Sequence, residues 1–263
     1  MVSLWALVIL SMISVAITAI VSPQIKLARV MEERFACQVA AEAALNYVYF
    51  EMIGRPQPKS EYDSLADLDT EKEIKLGKVT VTYKLTDEES KLDINTATKD
   101  MIMRLPELNN DQVAQNIIDY RQNPGKFAIK EQLLLVPGVA PEAYSQFKDL
   151  ITVWSDGKIN INTVSGEALR VLGFNEGFVI SLINFRKGEE GVFKNTGTIN
   201  SDIEKIIPVL SEQDSVVLNQ ANFTTKSTRL ILLAEARFPG QLPHKYQITF
   251  EIDKGKVLRW QED

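Results

Sequence analysis

The first charged side chain in the sequence is Lys26; residues 1–22, MVSLWALVILSMISVAITAIVS, are apolar or small and uncharged. As a helix this run is roughly 33 Å long, about one bilayer thickness. A cleaved secretory signal would carry a basic region ahead of an apolar run of roughly 7–15 residues. Here nothing basic comes first, the run is longer, and the chain does not change character where it ends. Charge enters gradually at Lys26, Arg29, Glu32, Glu33 and Arg34 while helical spacing persists. Leu27, Met31, Phe35 and Val39 recur at four-residue steps, then Leu45, Val48 and Met52 at three and four. Helix formers dominate, as in AAEAAL at 40–45, and Gly54 followed by Pro56 supplies a stop. The pattern predicts one continuous helix over 1–53. Its first half is apolar all round; its second half, from about 27, is amphipathic and buries one face on the protein's own sheet. A kink or loosening is expected at Pro23, where the backbone lacks a donor.

Beyond residue 54 a polar run to about 73 reads as a loop. Residues 74–85, IKLGKVTVTYKL, read as a strand with Val79, Val81 and Tyr83 on one face, and Gly77 marks a turn or bulge. Strand patterning returns at 229–238, 246–252 and 257–260, punctuated by Pro239–Gly240 and by Asp253, Lys254 and Gly255. These segments predict one antiparallel sheet interrupted by a long insertion. The insertion, 91–213, is helical in pattern and internally duplicated. Ile94, Asn95 and Thr96 recur as Ile161, Asn162 and Thr163; Tyr120 and Arg121 recur as Phe185 and Arg186; Phe127 recurs as Phe193. In each copy a capped short helix (98–105, 165–172) leads through a hairpin to a second helix (111–122, 176–187). The first copy adds two more short helices around Val136, Pro137, Gly138 and Val139. The domains are therefore the 1–53 helix, a sheet domain of 54–90 with 214–263, and the inserted α-helical domain 91–213.

Catalytic chemistry has little to work with. The one histidine, His244, follows Pro243 in a predicted solvent-facing turn, without a nucleophile motif beside it. Phosphate-cradling glycine loops and Cys/His zinc spacings are absent from the sequence. Cys37, the single cysteine, excludes an intramolecular disulfide and reads as a small buried hydrophobe. Acidic groups cluster at Asp67–Asp69–Glu71, Asp87–Glu88–Glu89, Glu189–Glu190 and Asp202–Glu204. None follows the calcium-loop pattern, so each reads as solvated charge; no cofactor is required, and calcium stays open.

The segment starting INTATKDMIMRLPELNN resembles the helix-hairpin-helix modules of membrane-anchored DNA receptors, which are expected to grip phosphate with a Gly-x-Gly turn backed by cations. This chain departs from that pattern. Its first hairpin reads Leu105, Pro106, Glu107, Leu108, and 91–213 carries 13 Lys and Arg against 16 Asp and Glu. Phosphate affinity comes from cationic contacts and counterion release, so no nucleic-acid partner is expected.

The whole chain resembles the minor pseudopilin K family of type II secretion systems. The residues carrying this resemblance are the start MVSLWALVIL, the junction TDEESKLDINTA at 86–97, and the large helical insertion with its second INT element at 161–163. The resemblance implies an α+β fold: a long pilin-type helix with a transmembrane first half, and an antiparallel pilin sheet interrupted by an all-α insertion of duplicated helix-hairpin-helix-like units. It implies a non-enzymatic minor pseudopilin at the pseudopilus tip, priming assembly and export across the outer membrane. Met1 would be the N-methylated residue of a mature chain. Trp5, Val8, Ile9, Pro23, Leu27, Met31 and Phe35 would form the membrane and assembly helix. Most pilins have Glu at position 5; Trp5 implies a subunit with no neighbour above it. Implied partners are the I and J minor pseudopilins, inner-membrane lipid before assembly, and secreted substrates or the outer-membrane channel. The chain would sit in the inner membrane as a single-pass protein, its bulk in the periplasm. A minor pilin of a type IV pilus and a DNA-uptake protein are the alternatives.

Overall fold

A computed structural model describes residues 2–54, 68–188, 191–207 and 210–262. Met1, residues 55–67 of the loop expected to about 73, with Asp67 among them, and the Glu189–Glu190 pair lie outside these residues; the end of that expected loop, Lys72 and Glu73, is already strand. The chain opens with α1 (Val2–Gly54), 53 residues of helix that run unbroken through Pro23 and stop at the predicted glycine. At about 1.5 Å per residue α1 is roughly 80 Å long. Its C-terminal part packs on a five-stranded antiparallel sheet.

That sheet contains β1 (Lys72–Leu76), β2 (Val79–Asp87), β7 (Arg229–Arg237), β8 (His244–Glu251) and β9 (Lys256–Glu262), in that spatial order. The strand expected over 74–85 is a hairpin: Leu76 pairs with Val79 across Gly77 and Lys78. Gly77 has φ +62°, which a side chain would disfavour, so the chain reverses there. The alternation expected along β2 holds, with Val79, Val81, Tyr83 and Leu85 buried under α1. Leu230, Leu232, Ala234 and Ala236 of β7 continue that face, as do Tyr246, Ile248 and Phe250 of β8. His244 is not a turn residue; it opens β8, pairs with Ala236, and sets Nδ1 3.3 Å from Glu262 Oε1.

Between β2 and β7 the chain makes a second body with its own core. It comprises β3 (Leu92–Asp93), α2 (Lys99–Met103), α3 (Asp111–Gln122), α4 (Pro141–Phe147) and β4 (Ile151–Thr152). After these come β5 (Ile159–Asn160), α5 (Gly166–Leu172), α6 (Glu176–Arg186), α7 (Ile199–Ile206), α8 (Glu212–Gln220) and β6 (Phe223–Thr224). Residues 214–228, assigned from sequence to the sheet, belong here. Val217, Leu218 and Phe223 are buried in the helical core, and β6 pairs with β5. A short polar helix gave no sign of which body its few apolar residues would join.

The duplication is visible bond by bond. Each copy starts and ends on a two-residue parallel ladder, β3 with β4 and β5 with β6. In the first copy Asn95 donates from Nδ2 to the Phe127 carbonyl (3.0 Å) and accepts from the Phe127 N–H (2.8 Å). Asn162 makes the same pair with Phe193, at 3.0 and 2.8 Å. Arg121 donates to the carbonyls of Ile94 and Ala97, and Arg186 to those of Ile161 and Val164. The repeated Asn, Arg and aromatic residues are therefore the internal cross-ties of each unit. Thr98 and Ser165 cap α2 and α5, and Asn110 and Asn175 cap α3 and α6.

Candidate assembly surface and the acidic junction

The predicted helix residues fall into one exposed surface. Trp5, Val8, Ile9, Leu27, Met31 and Phe35 are 41–66 % exposed, and Pro23 is exposed as well. Within Ser3–Glu51 an 18-residue window has a mean hydropathy of 2.6 and is not buried at all by the rest of the chain. Among the described residues this is the one helix long and apolar enough to cross a bilayer, a single candidate membrane anchor.

The expectation that the whole 27–53 half covers the sheet needs correction. Contact begins at Arg34, which pairs with Glu262 of β9 at 2.8 Å, and full burial begins at Cys37; the buried face is Cys37, Ala40, Ala41, Ala44, Leu45 and Val48. Phe35 and Val39 sit at about 200° from Cys37 around the helix axis, at 100° per residue, and remain outside. Small side chains let the helix approach the sheet closely, which excludes the bulky stripe from that face. Leu27, Met31, Phe35 and Val39 instead extend the apolar surface beyond the membrane-length segment. Cys37 is a free, buried thiol whose pKa is pushed up by burial, as a structural cysteine's would be.

The other concentration of chemistry is at the seam between the sheet and the helical body. Asp87, Glu88 and Glu89 were expected in solvent, yet each is at most 4 % exposed. Asp87 ends β2, and a short 3-10 turn, Glu88–Ser90, leads into β3. Asp87 Oδ1 accepts the Glu89 N–H at 2.8 Å; its Oδ2 accepts from the hydroxyls of Thr163 (2.5 Å) and Ser227. Glu88 Oε2 takes Lys91 Nζ at 2.9 Å. Glu89 Oε1 accepts from Thr228 Oγ1 at 2.5 Å and lies 3.8 Å from Arg229 Nη1. Glu88 Oε1 and Glu89 Oε2 have no hydrogen-bond partner among the described residues. Burial raises the pKa of Asp87, against its hydrogen bonds, and raises that of Glu89 to about 7. Local polarity could not announce this burial, because the covering residues come from positions 156–163 and 225–229.

Two hairpins of the first copy share one turn geometry. In the first, Leu108 N–H donates to Leu105 C=O (3.1 Å) around Pro106 and Glu107; in the next, Val139 N–H donates to Val136 C=O (3.1 Å) around Pro137 and Gly138. Both are type II-like turns, which require positive φ at the third residue. Gly138 takes +93°, and Glu107 takes +61° despite its side chain. The arginines of the repeats, Arg121 and Arg186, point inward to backbone carbonyls. Among the described residues, no group of three or more His, Cys, Asp or Glu side chains is placed to hold a metal ion.

A lone apolar rod, packed by its C-terminal part on an antiparallel sheet that a duplicated helix-hairpin-helix body interrupts, defines a pilin-like α+β class of protein. Residues 87–152, the first copy with its junction, match the family model described as a helix-hairpin-helix motif. Curated relatives include the endonuclease/exonuclease/phosphatase family domain-containing protein 1 of Xenopus laevis, 32% identical over 131 residues, covering 41% of this chain and 23% of that protein. The Homo sapiens protein of that name is 30% identical over 139 residues, with 41% and 24% covered. The chain thus spans about a quarter of the length of these relatives. Among solved structures, the chain is similar to one in the GspK–GspI–GspJ complex of the enterotoxigenic Escherichia coli type 2 secretion system. The TM-score is 0.68 at 13% identity, over 90% of this chain and 99% of that one. The fold is GspK-like, as the sequence resemblance implied.

Proposed function

We propose that this chain is a non-enzymatic minor pseudopilin at the tip of a type II secretion pseudopilus, held in the inner membrane by α1 until assembly, with its bulk in the periplasm. The observation that carries this reading is the unpartnered apolar surface of α1, from the membrane-length segment through Phe35. Among the described residues nothing covers it, so lipid covers it before assembly and other helices after. Helices of I- and J-type minor pseudopilins are the partners that the likeness to the E. coli complex supports. Trp5 supports a terminal position, because it offers no carboxylate to a neighbouring subunit's amine. The helical body then forms the bulky end that primes fibre assembly and meets secreted proteins or the outer-membrane channel.

Val8→Lys tests the reading in the full-length protein. A lysine at the centre of the bilayer costs about 2.5–3.5 kcal/mol on insertion scales. The variant should leave the membrane fraction, or stay there without co-purifying with I- and J-type partners, and secretion should fall. Unchanged membrane fractionation, co-purification and secretion would overturn it.

The helix-hairpin-helix match gives a second reading, DNA binding, a specific basis. Its chemistry is unfavourable here: Glu107 occupies a glycine's place in the first hairpin, and the repeat arginines are tied to the backbone. Micromolar, salt-dependent DNA binding by the full chain would revive it.

A further inference from the structure

We propose that Glu89, together with Asp87 and Glu88, is a positioning residue whose protonated form fixes the helical body on the sheet and whose ionisation loosens it. Both chain crossings between the two bodies pass this point, outward after Asp87 and back before Arg229. Each of the three carboxylates holds a different part. Asp87 binds Thr163 of the second copy and Ser227 of the returning chain. Glu88 pairs with Lys91, and its charge also acts on the buried Lys130 of the first copy, whose Nζ donates to the Lys148 carbonyl. Glu89 holds the start of β7 through Thr228.

The proton follows from counting donors and cations. Asp87 accepts three hydrogen bonds, which oppose the upward push that burial gives its pKa. Glu89 is held only by Thr228, through its hydroxyl and its backbone N–H, and Oε2 is buried without a donor among the described residues. The cation paired with it among the described residues is shared: Arg229 lies 2.8 Å from Asp156 of the linker between copies and 3.6 Å from Glu251 of β8, both closer than Glu89 at 3.8 Å. Glu251 also receives Lys254, from the β8–β9 turn, at 3.1 Å. A buried carboxylate with so little compensation holds a proton, and losing it places a poorly compensated negative charge in a dry seam crowded with carboxyl groups.

The sign is fixed by the direction of the shift. With its folded pKa raised to about 7 from 4.5, Glu89 leaves the folded state fully stabilised below about pH 4.5. Stability then falls as pH rises through 7. The shift corresponds to a ceiling of about 300-fold in the folding equilibrium at one decade per pKa unit.

The test is a spin-label distance between Glu73→Cys in β1 and Ile180→Cys in α6, in full-length protein with Cys37→Ala, measured at pH 5 and pH 8.5. A narrow distribution at pH 5 that broadens at pH 8.5 is expected, and Glu89→Gln, which mimics the neutral acid, should stay narrow at both. In denaturant, Glu89→Gln should match the parent at low pH and exceed it at least tenfold in folding equilibrium at pH 8.5. A distribution in the parent that ignores pH, or a Glu89→Gln variant that broadens like the parent, overturns the proposal. If Glu89→Gln does not fold, the parent's pH series still decides.

Discussion

The Asn–Phe cross-ties offer the sharpest test of whether the inserted body is two copies of one physical unit. Asn95→Ala deletes the bonds to both backbone groups of Phe127 and a further donor to the Val153 carbonyl at 3.2 Å. Asn162→Ala deletes the two bonds to Phe193. Phe127 and Phe193 are each 2 % exposed, so their backbone groups cannot turn to water. A buried polar group left without its partner costs roughly 1–3 kcal/mol, so each variant should lose about 2–4 kcal/mol. Asn95 makes one more bond, but Asn162 is the more deeply buried, and the two effects offset. Aspartate is the stricter control: it keeps the shape but turns a donor into an acceptor facing the Phe carbonyl, so Asn95→Asp and Asn162→Asp should do no better than alanine. The assay is guanidinium unfolding of full-length protein in detergent, followed by tryptophan fluorescence, with Trp154 reporting beside Val153. Losses below about 0.5 kcal/mol in either alanine variant, or a loss confined to one copy, would refute the equivalence.

Two further substitutions probe local geometry. Glu107→Gly relieves a left-handed residue whose side chain costs about 1–2 kcal/mol, against roughly 0.5–1 kcal/mol of added unfolded-state entropy. It should therefore raise stability by up to about 1 kcal/mol, read as a higher denaturation midpoint; a loss of stability would show that Glu107 makes a compensating contact. Ala41→Leu forces three extra carbons into the closest part of the helix–sheet contact, where Ala41 is fully buried, and should cost about 1–3 kcal/mol. The same change at the exposed Ala28 should cost under about 0.5 kcal/mol, and equal effects at the two sites would contradict the packing described.

Periodicity made α1, the strand faces and the paired helices legible, because each is set by residues near in sequence. Asn95 with Asn162 and Arg121 with Arg186 were visible as repeats, although their work as cross-ties was not, since the carbonyls they reach lie 22–58 residues away. The assembly surface was legible as apolar sequence, but its division was not. Bulky Leu27, Met31, Phe35 and Val39 dominated the helical pattern, while the sheet selected the quieter Cys37, Ala40, Ala41 and Ala44. The buried junction was misread for a related reason. A run of three acids looks wet until residues from distant parts of the chain close over it.

The neighbouring positions of β2 and β7, Asp87 opposite Leu230, have a consequence for how this chain acquires its shape. Pairing those strands across an unstructured excursion of some 140 residues would carry the full entropy of closing a large loop, which grows with the logarithm of its length. Once the excursion has condensed, its two ends emerge one strand spacing apart, and the sheet closes over what is effectively a short link. A large guest can thus sit inside the small host sheet without slowing the host's assembly, provided the guest condenses first.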